Sequence, residues 1–118
     1  MIDSRNNNIY SAIFNEKYEL LSDYLAININ ELIPLLRKYS NITFVGDGSL
    51  LHKDLLETEL SNCNICFSGN NILTATNIGK CGLKKYTLGE FQNADTIVPM
   101  YINKSQAERM QDLKNGNN

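Results

Sequence analysis

The sequence predicts a single α/β domain in which an antiparallel meander precedes alternating helices and strands. Two hydrophobic patterns support this prediction. Residues 9–14 alternate between two faces, whereas apolar side chains within 29–39 recur at spacings of three and four. The chain has 118 residues, of which 42% are hydrophobic. This length suits one domain, and this fraction is enough for one packed core.

The first three predicted elements form the meander. Residues 9–14 (Ile-Tyr-Ser-Ala-Ile-Phe) are rich in strand-forming types. Residues 5–8 include three asparagines, which tolerate the left-handed backbone of tight turns, so residues 1–4 are expected to pair with 9–14. Residues 15–17 form a second polar break. The third strand is predicted over residues 18–25.

Helices and strands then alternate. Asn28 and Glu31 have the spacing of a capping box, which predicts a helix start. Pro34 lies inside this helix, and a start at Asn30 would place it nearer the first turn, where proline is less disruptive. The elements expected next are a strand at 42–45, a helix over 50–60, a strand at 65–67 and a helix from residue 71. Small residues on the last helix predict close packing against the sheet.

The resulting order is β-β-β-α-β-α-β-α, which implies a mixed five-stranded sheet with right-handed crossovers. This is the order of the ribonuclease H-like fold, which the actin-like ATPase superfamily uses twice in each molecule. Because no internal repeat is visible, one copy of this fold is expected over residues 1–110. Within it, the segment from Phe91 onward is predicted to be irregular. Residues 111–118 are predicted to be a frayed tail.

Charge and hydropathy exclude several classes of partner. The net charge is −2, and the basic residues are scattered apart from the pair Lys84-Lys85, so direct nucleic-acid binding is not expected. No apolar run approaches the ~20 residues that a membrane helix needs. Residues 1–8 are polar and lack the apolar segment of a signal peptide. We therefore expect a cytoplasmic protein.

The three cysteines are expected to be buried free thiols, since cytosolic proteins rarely keep disulfides. Cys63 and Cys66 match C-x-x-C, but they flank a short strand, so their side chains are expected on opposite faces. Zinc needs four ligands, and His52 alone could join the cysteines, at irregular spacing. We predict no metal site, and we expect His52 on a helix surface.

Three segments follow the motifs of one known family in the family's order. Residues 2–5 and 9–14 resemble the hairpin "I-D-A-R-x-x-x-(V/I)-Y-x-A-(L/I)-(F/Y)", residues 44–48 resemble "F-x-G-(D/E)-G", and residues 97–108 resemble the closing "P-x-Y-(L/I)-R-x-S-x-A-E". These segments resemble the TsaB (YeaZ) family. Asn103 stands where that family usually has Arg. The matching motif positions are Asp3, Arg5, Gly46, Asp47, Gly48, Pro99, Tyr101 and Glu108, and we expect structural roles for them.

The resemblance implies a non-catalytic scaffold with a degenerate nucleotide cleft. TsaB serves the bacterial machinery that places threonylcarbamoyl on adenosine in transfer RNA. Its paralogue TsaD carries the metal and the catalytic chemistry, and the ATPase TsaE joins them. The motifs match the carboxy-terminal lobe only, so the amino-terminal lobe, which makes much of the contact with TsaD, is expected to be missing. Catalytic residues and cofactors are not expected, although the family has been called a glycoprotease.

Two other functions stay open for the same residues. If the carboxylates of Asp3, Glu31 and Asp47 converged, they could bind two Mg²⁺ ions and cleave phosphodiesters. The competing interpretation of this metal-dependent nuclease site is structural: Asp3 stabilises the asparagine turn, and Asp47 fills a turn position. The second alternative is an ATP-binding actin-like fragment, since residues 46–49 resemble that superfamily's adenosine-side turn. An ordinary strand-to-helix turn with Ser49 as the helix cap is the competing interpretation.

Four aromatic residues of the meander permit two arrangements. Tyr10, Phe14, Tyr18 and Tyr24 either form an exposed patch or pack beneath the helices. Apolar surface left uncovered without a second lobe would favour self-association, so a homo-oligomer is an expected state.

Overall fold

The computed structural model describes residues 1–103 and 114–116. The chain is a mixed α/β protein with two small sheets. Its elements are β1 (Ile2–Asp3), β2 (Asn8–Ser11), β3 (Leu25–Asn28), α1 (Ile29–Leu36), β4 (Asn41–Phe44), α2 (Asp47–Leu51), α3 (Lys53–Glu59), β5 (Asn64–Phe67) and α4 (Ala75–Thr87). The predicted frayed tail lies outside the described residues except for 114–116, which are helical.

Strands β1, β2 and β3 form the predicted antiparallel meander. The turn between β1 and β2 places Arg5, Asn6 and Asn7 at φ of 65°, 53° and 59°, the left-handed backbone expected of an asparagine turn. In register, Ile2 lies opposite Tyr10 on one side of β2. The meander and its first turn are therefore confirmed.

The predicted start of the third strand is wrong. It was expected over residues 18–25, but β3 spans Leu25–Asn28, and only the isolated bridge Phe14–Leu20 pairs the preceding segment. The side chain of Asn15 explains the delay, because its Oδ1 accepts hydrogen bonds from the backbone N–H groups of Lys17 and Glu19. This closed loop competes with ladder formation.

Strands β4 and β5 form a separate parallel pair, in which Phe44 lies opposite Phe67. The expected single five-stranded sheet is thus present as two sheets. Hydrogen bonds nevertheless join their neighbouring strands: the Met1 amine donates to the Val45 carbonyl at 2.6 Å, and the Gly48 N–H donates to the Met1 carbonyl at 3.2 Å. Met1 therefore lies beside the end of β4.

The capping box at the start of α1 is confirmed. Asn28 Oδ1 accepts from Asn30 N–H at 3.1 Å, and the Glu31 carboxylate accepts from Asn28 N–H at 3.1 Å. The helix begins at Ile29. It does not begin at Asn30, the alternative start that would have placed Pro34 nearer the first turn. The carbonyl that Pro34 leaves without a helical donor belongs to Asn30, an exposed residue.

The helix predicted over residues 50–60 begins earlier and is interrupted. Helix α2 starts at Asp47, and His52, at φ −103° and ψ 18°, separates it from α3. Leu56, within α3, and Leu60, which follows it, are buried, whereas Leu51, the last residue of α2, is exposed.

One hydrophobic core joins the meander, α1, β4 and α3. Its buried members are Ile9, Ile29, Leu32, Ile33, Leu36, Phe44, Leu56 and Leu60. The rings of Phe44 and Phe67 stack at its edge with centroids 5.2 Å apart.

Helix α4 does not pack against either sheet, so the predicted packing of its small residues is wrong. None of its residues is buried. It also begins four residues later than expected, because Asn71 is engaged elsewhere: its Oδ1 accepts from Gly46 N–H and its Nδ2 donates to the Ser68 carbonyl. Thr74 caps α4 instead. None of the helices in the described part of the chain has the length and apolar character to cross a bilayer.

Candidate functional site

Four of the motif residues meet where β1 passes the end of β4. Asp47, the first residue of α2, accepts hydrogen bonds through Oδ1 from the backbone N–H groups of Asp3, at 3.1 Å, and Gly48, at 2.8 Å. A single carboxylate oxygen therefore fixes the strand β1 to the start of α2. We call residues 46–48 the glycine turn.

The two glycines of this turn are required by the approach of β1. Gly46 has φ 102° and ψ 162°, a conformation essentially confined to glycine, and a Cβ there would lie 2.0 Å from the Met1 carbonyl oxygen. A Cβ on Gly48 would lie 3.0 Å from the Asp3 nitrogen. The space over the glycine turn is thus filled by the chain's own backbone, which accounts for both glycines without a bound phosphate.

Ser49 does not cap the following helix, contrary to the prediction. Gly46 occupies the cap position, and Ser49 lies inside α2, fully buried. The Ser49 hydroxyl donates to the Gly46 carbonyl at 2.6 Å. Its role is to hold the glycine turn closed.

Each carboxylate of the nuclease hypothesis has a backbone partner of its own. Asp3 Oδ1 accepts from Arg5 N–H at 3.0 Å, which stabilises the asparagine turn, and Glu31 is held in the capping box of α1. Asp47 bonds to the glycine turn as described. Within residues 1–103 and 114–116, no three His, Cys, Asp or Glu side chains come close enough to share a metal ion.

The Met1 amine, which lies beside the glycine turn, has a shifted pKa. Burial against the end of β4 lowers the pKa of the amine below its ordinary value of 8.0, and the nearby Asp47 carboxylate partly opposes that shift. The amine keeps its hydrogen bond to the Val45 carbonyl. Protonation of this amine is therefore coupled to the contact between β1 and β4.

The closing motif lies in a different part of the chain. Residues 97–103 are irregular and exposed, with Tyr101 exposed to 83%, so its expected structural role has no packing to support it. Asn103 donates through Nδ2 to the Tyr10 hydroxyl at 3.2 Å. Glu108 lies outside the described residues. Pro99 belongs to the same exposed segment.

The predictions for the cysteines are half right. All three are free thiols, but Cys66 and Cys81 are exposed and Cys63 is only partly buried. Cys66 faces away from the core because it alternates with Ile65 and Phe67 along β5. Cys63 precedes that strand and packs partly against the core.

His52 is buried, so its predicted position on a helix surface is wrong. It is 8% exposed, and its Nε2 has no hydrogen-bond partner among the described residues. The sequence held a signal for this burial: His52, Leu56 and Leu60 recur at a spacing of four, and both leucines are in the core.

The structure favours the exposed arrangement of the aromatic residues. Phe14 is 50% exposed, Tyr24 47% and Tyr18 81%, while Tyr10 is half-buried beneath Asn103. The opposite side of the meander, with Ile9 at its centre, faces the core.

A cleft of about 180 Å³, which the sequence did not suggest, lies away from the glycine turn. It is lined by residues that follow α1 and α3, among them Lys38 and Cys63, and by the ion pair between Arg37 and Glu59 at 2.8 Å. Both members of that pair are about half exposed, so the pair contributes little to stability.

No family model matches the chain, and neither a curated protein nor a solved structure matches it. A proposal for its function therefore depends on the geometry described here and on the motifs.

Proposed function

We propose that this chain is a non-catalytic protein-interaction domain. In its specific form, the proposal is a TsaB-like scaffold of the machinery that adds threonylcarbamoyl to transfer-RNA adenosine. It includes a ribonuclease H-like lobe, a cytoplasmic location, and TsaD and TsaE as partners of the full-length protein.

The uncovered apolar surface after β5 carries this proposal. Large side chains of this region are mostly exposed, including Leu73 at 76%, Val98 at 78% and Tyr101 at 83%. An accumulation of exposed large apolar side chains along one segment favours an interaction site, whereas single exposed side chains need no explanation. A partner that covers this region would supply the packing that the described chain lacks.

The arrangement of the strands supports the fold that the proposal assumes. The hydrogen bond from the Met1 amine to the Val45 carbonyl places β1 beside the end of β4 as well as beside β2. A single mixed sheet of the ribonuclease H-like type requires this neighbourhood, with β1 between β2 and β4.

The chemistry of the glycine turn is consistent with a scaffold. A metal-dependent nuclease needs carboxylates that are free to bind metal ions and close to one another. Here the carboxylates of Asp3, Glu31 and Asp47 accept hydrogen bonds from backbone N–H groups. The same turn is filled by β1, so it offers no open cradle for nucleotide phosphates.

The experiment is capture of purified TsaD by this chain, alone and fused behind the amino-terminal lobe of a TsaB protein. We expect the fusion to bind TsaD, and we expect Tyr101→Ala to weaken binding about tenfold, the equivalent of ~1.4 kcal/mol. Tyr18→Ala is the matched control, because Tyr18 is also a tyrosine and is 81% exposed, in the meander loop.

Failure of both the chain and the fusion to bind TsaD would remove the specific form of the proposal. A Mg²⁺ titration would then test the nuclease alternative. Binding of Mg²⁺ that Asp3→Ala abolishes would support a nuclease, and its absence in the unaltered chain would exclude one that depends on this site.

A further inference from the structure

Helix α4 has one apolar face that the described chain leaves largely uncovered: the ring of Phe91 contacts that of Tyr86, with centroids 5.4 Å apart, but both side chains stay mostly exposed. Its members recur at spacings of three and four, and the largest are Ile78, Leu83 and Tyr86, exposed to 56%, 64% and 64%. Gly79 and Gly82 lie on the same face, and no neighbouring atom lies within 4 Å of the position that a Cβ would take at either glycine. A 13-residue helix is marginal in water by itself, so α4 needs a surface to pack against.

The outer side of the meander is a surface of matching character. We call it the aromatic face. The residues that form it are Ile2, Tyr10, Phe14, Leu20, Tyr24 and Ala26. Four of these side chains, those of Ile2, Phe14, Leu20 and Tyr24, are between 43% and 53% exposed. Because successive strand residues alternate, the core contacts of Ile9 leave most of this opposite side uncovered; the exception is Tyr10, whose hydroxyl accepts a hydrogen bond from Asn103.

The charges of the two surfaces are complementary. Helix α4 carries Lys80, Lys84 and Lys85 and no acidic residue. The loop that borders the aromatic face, residues 15–24, carries three acidic residues and one lysine, a net charge of −2. Two α4 helices packed together would place like charges side by side, whereas α4 on the aromatic face pairs opposite charges.

We propose that two copies of this chain associate by reciprocal exchange, with α4 of each copy docked on the aromatic face of the other. The chain supplies both halves of the contact, so a two-fold arrangement forms the contact twice and closes. Forming the contact twice increases the buried area. This matters because a stable interface needs about 800 Å² from each partner, and one short helix face supplies only part of that area. This association is independent of TsaD.

A charge-swap experiment tests the exchange in solution. One variant carries Lys80→Glu and Lys84→Glu, and the other carries Glu16→Lys and Asp23→Lys, all at exposed positions. Each variant alone places like charges across both contacts, so we expect its self-association to weaken at least about tenfold. In an equimolar mixture, the acidic helix of one variant meets the basic loop of the other, and the unaltered helix and loop form the second contact, so opposite charges return at both contacts and a one-to-one dimer should form. Sedimentation velocity over a range of concentrations measures both effects.

The mixture also controls for folding, because a misfolded variant could not restore the dimer. Leu83→Ser and Cys81→Ser provide a second pair on one helix: the first alters the apolar face and should weaken the dimer, while the second alters the other side and should not. A wild-type chain that stays monomeric, as it would if α4 closed on its own aromatic face, overturns the proposal. A dimer insensitive to the charge swaps overturns it as well.

Discussion

Residues 1–68 and residues 69–103 both contain amphipathic helices, but the apolar side chains of the two regions differ in burial. In the first region every buried apolar side chain of the core lies between Ile9 and Leu60. In the second, α4 buries no residue although its apolar face is continuous over the helix. The comparison teaches that an amphipathic pattern identifies the face to be covered but not the surface that covers it. Mutations in matched pairs can test how independent the two regions are.

The largest difference is expected for leucine-to-alanine changes. Leu56 is fully buried in α3, so Leu56→Ala should lower the free energy of unfolding by about 2–5 kcal/mol through lost burial and a residual cavity. Leu83 in α4 is 64% exposed, so Leu83→Ala should change it by less than about 0.5 kcal/mol. Urea denaturation of dilute protein, where association is negligible, measures both. Equal losses would mean that α4 belongs to the same cooperative unit as the core.

The next difference is expected for glycine-to-alanine changes. Gly46→Ala forces a Cβ onto the Met1 carbonyl and an L-residue into a glycine conformation, so a loss of about 3 kcal/mol is expected. Gly89, at the end of α4, also has a positive φ, 78°, but no atom lies within 4 Å of its Cβ position. Gly89→Ala should therefore reduce helicity near α4 without altering the unfolding of the core. Far-ultraviolet circular dichroism measures the loss of helicity, and thermal unfolding followed in the near ultraviolet measures the stability of the core.

A tolerated Gly46→Ala would contradict the close approach of β1 to the glycine turn. It would also reopen that turn to a ligand, since the glycines would then need another explanation.

The sequence predicted local structure better than the assembly of the parts. The asparagine turn and the capping box at Asn28 depend on residues within a few positions of one another, and both are confirmed. The late start of β3 and the displacement of α4 were missed because side-chain amides of Asn15 and Asn71 bond to backbone groups away from the expected elements. Hydrophobic spacing carries no information about such competing hydrogen bonds.

The candidate site was predictable in composition but not in contacts. The motifs selected Asp3, Gly46 and Asp47 from segments more than 40 residues apart, and these residues do meet. Two of the contacts depend on three-dimensional packing and could not be read from the motifs. Asp47 bonds to the backbone of Asp3, and β1 fills the space over the glycines. The burial of His52 was missed although His52 shares the spacing of four with the buried Leu56 and Leu60.

A smaller difference is expected for the helix caps. Asn28→Ala removes the acceptor at the start of α1, a helix that supplies four core residues, so the free energy of unfolding should fall by about 1 kcal/mol. Thr74→Ala removes the equivalent acceptor of α4, which buries nothing, so only the far-ultraviolet helical signal should fall. A loss of global stability in Thr74→Ala would show that α4 supports the core.

The smallest effect expected concerns the Met1 amine in a chain that starts at that residue. Because burial lowers the pKa of the folded amine below 8.0, the unfolded chain binds more protons between the two pKa values. The free energy of unfolding from this group should therefore rise with pH through that interval and level off above pH 8.0. As the pH falls through the folded pKa, this contribution is lost. Chemical denaturation at closely spaced pH values measures the rise, and acetylation of the amine, which removes the titrating group, should abolish it. A rise that persists after acetylation would assign the pH dependence to another group and would leave the contact between β1 and β4 uncoupled from protonation.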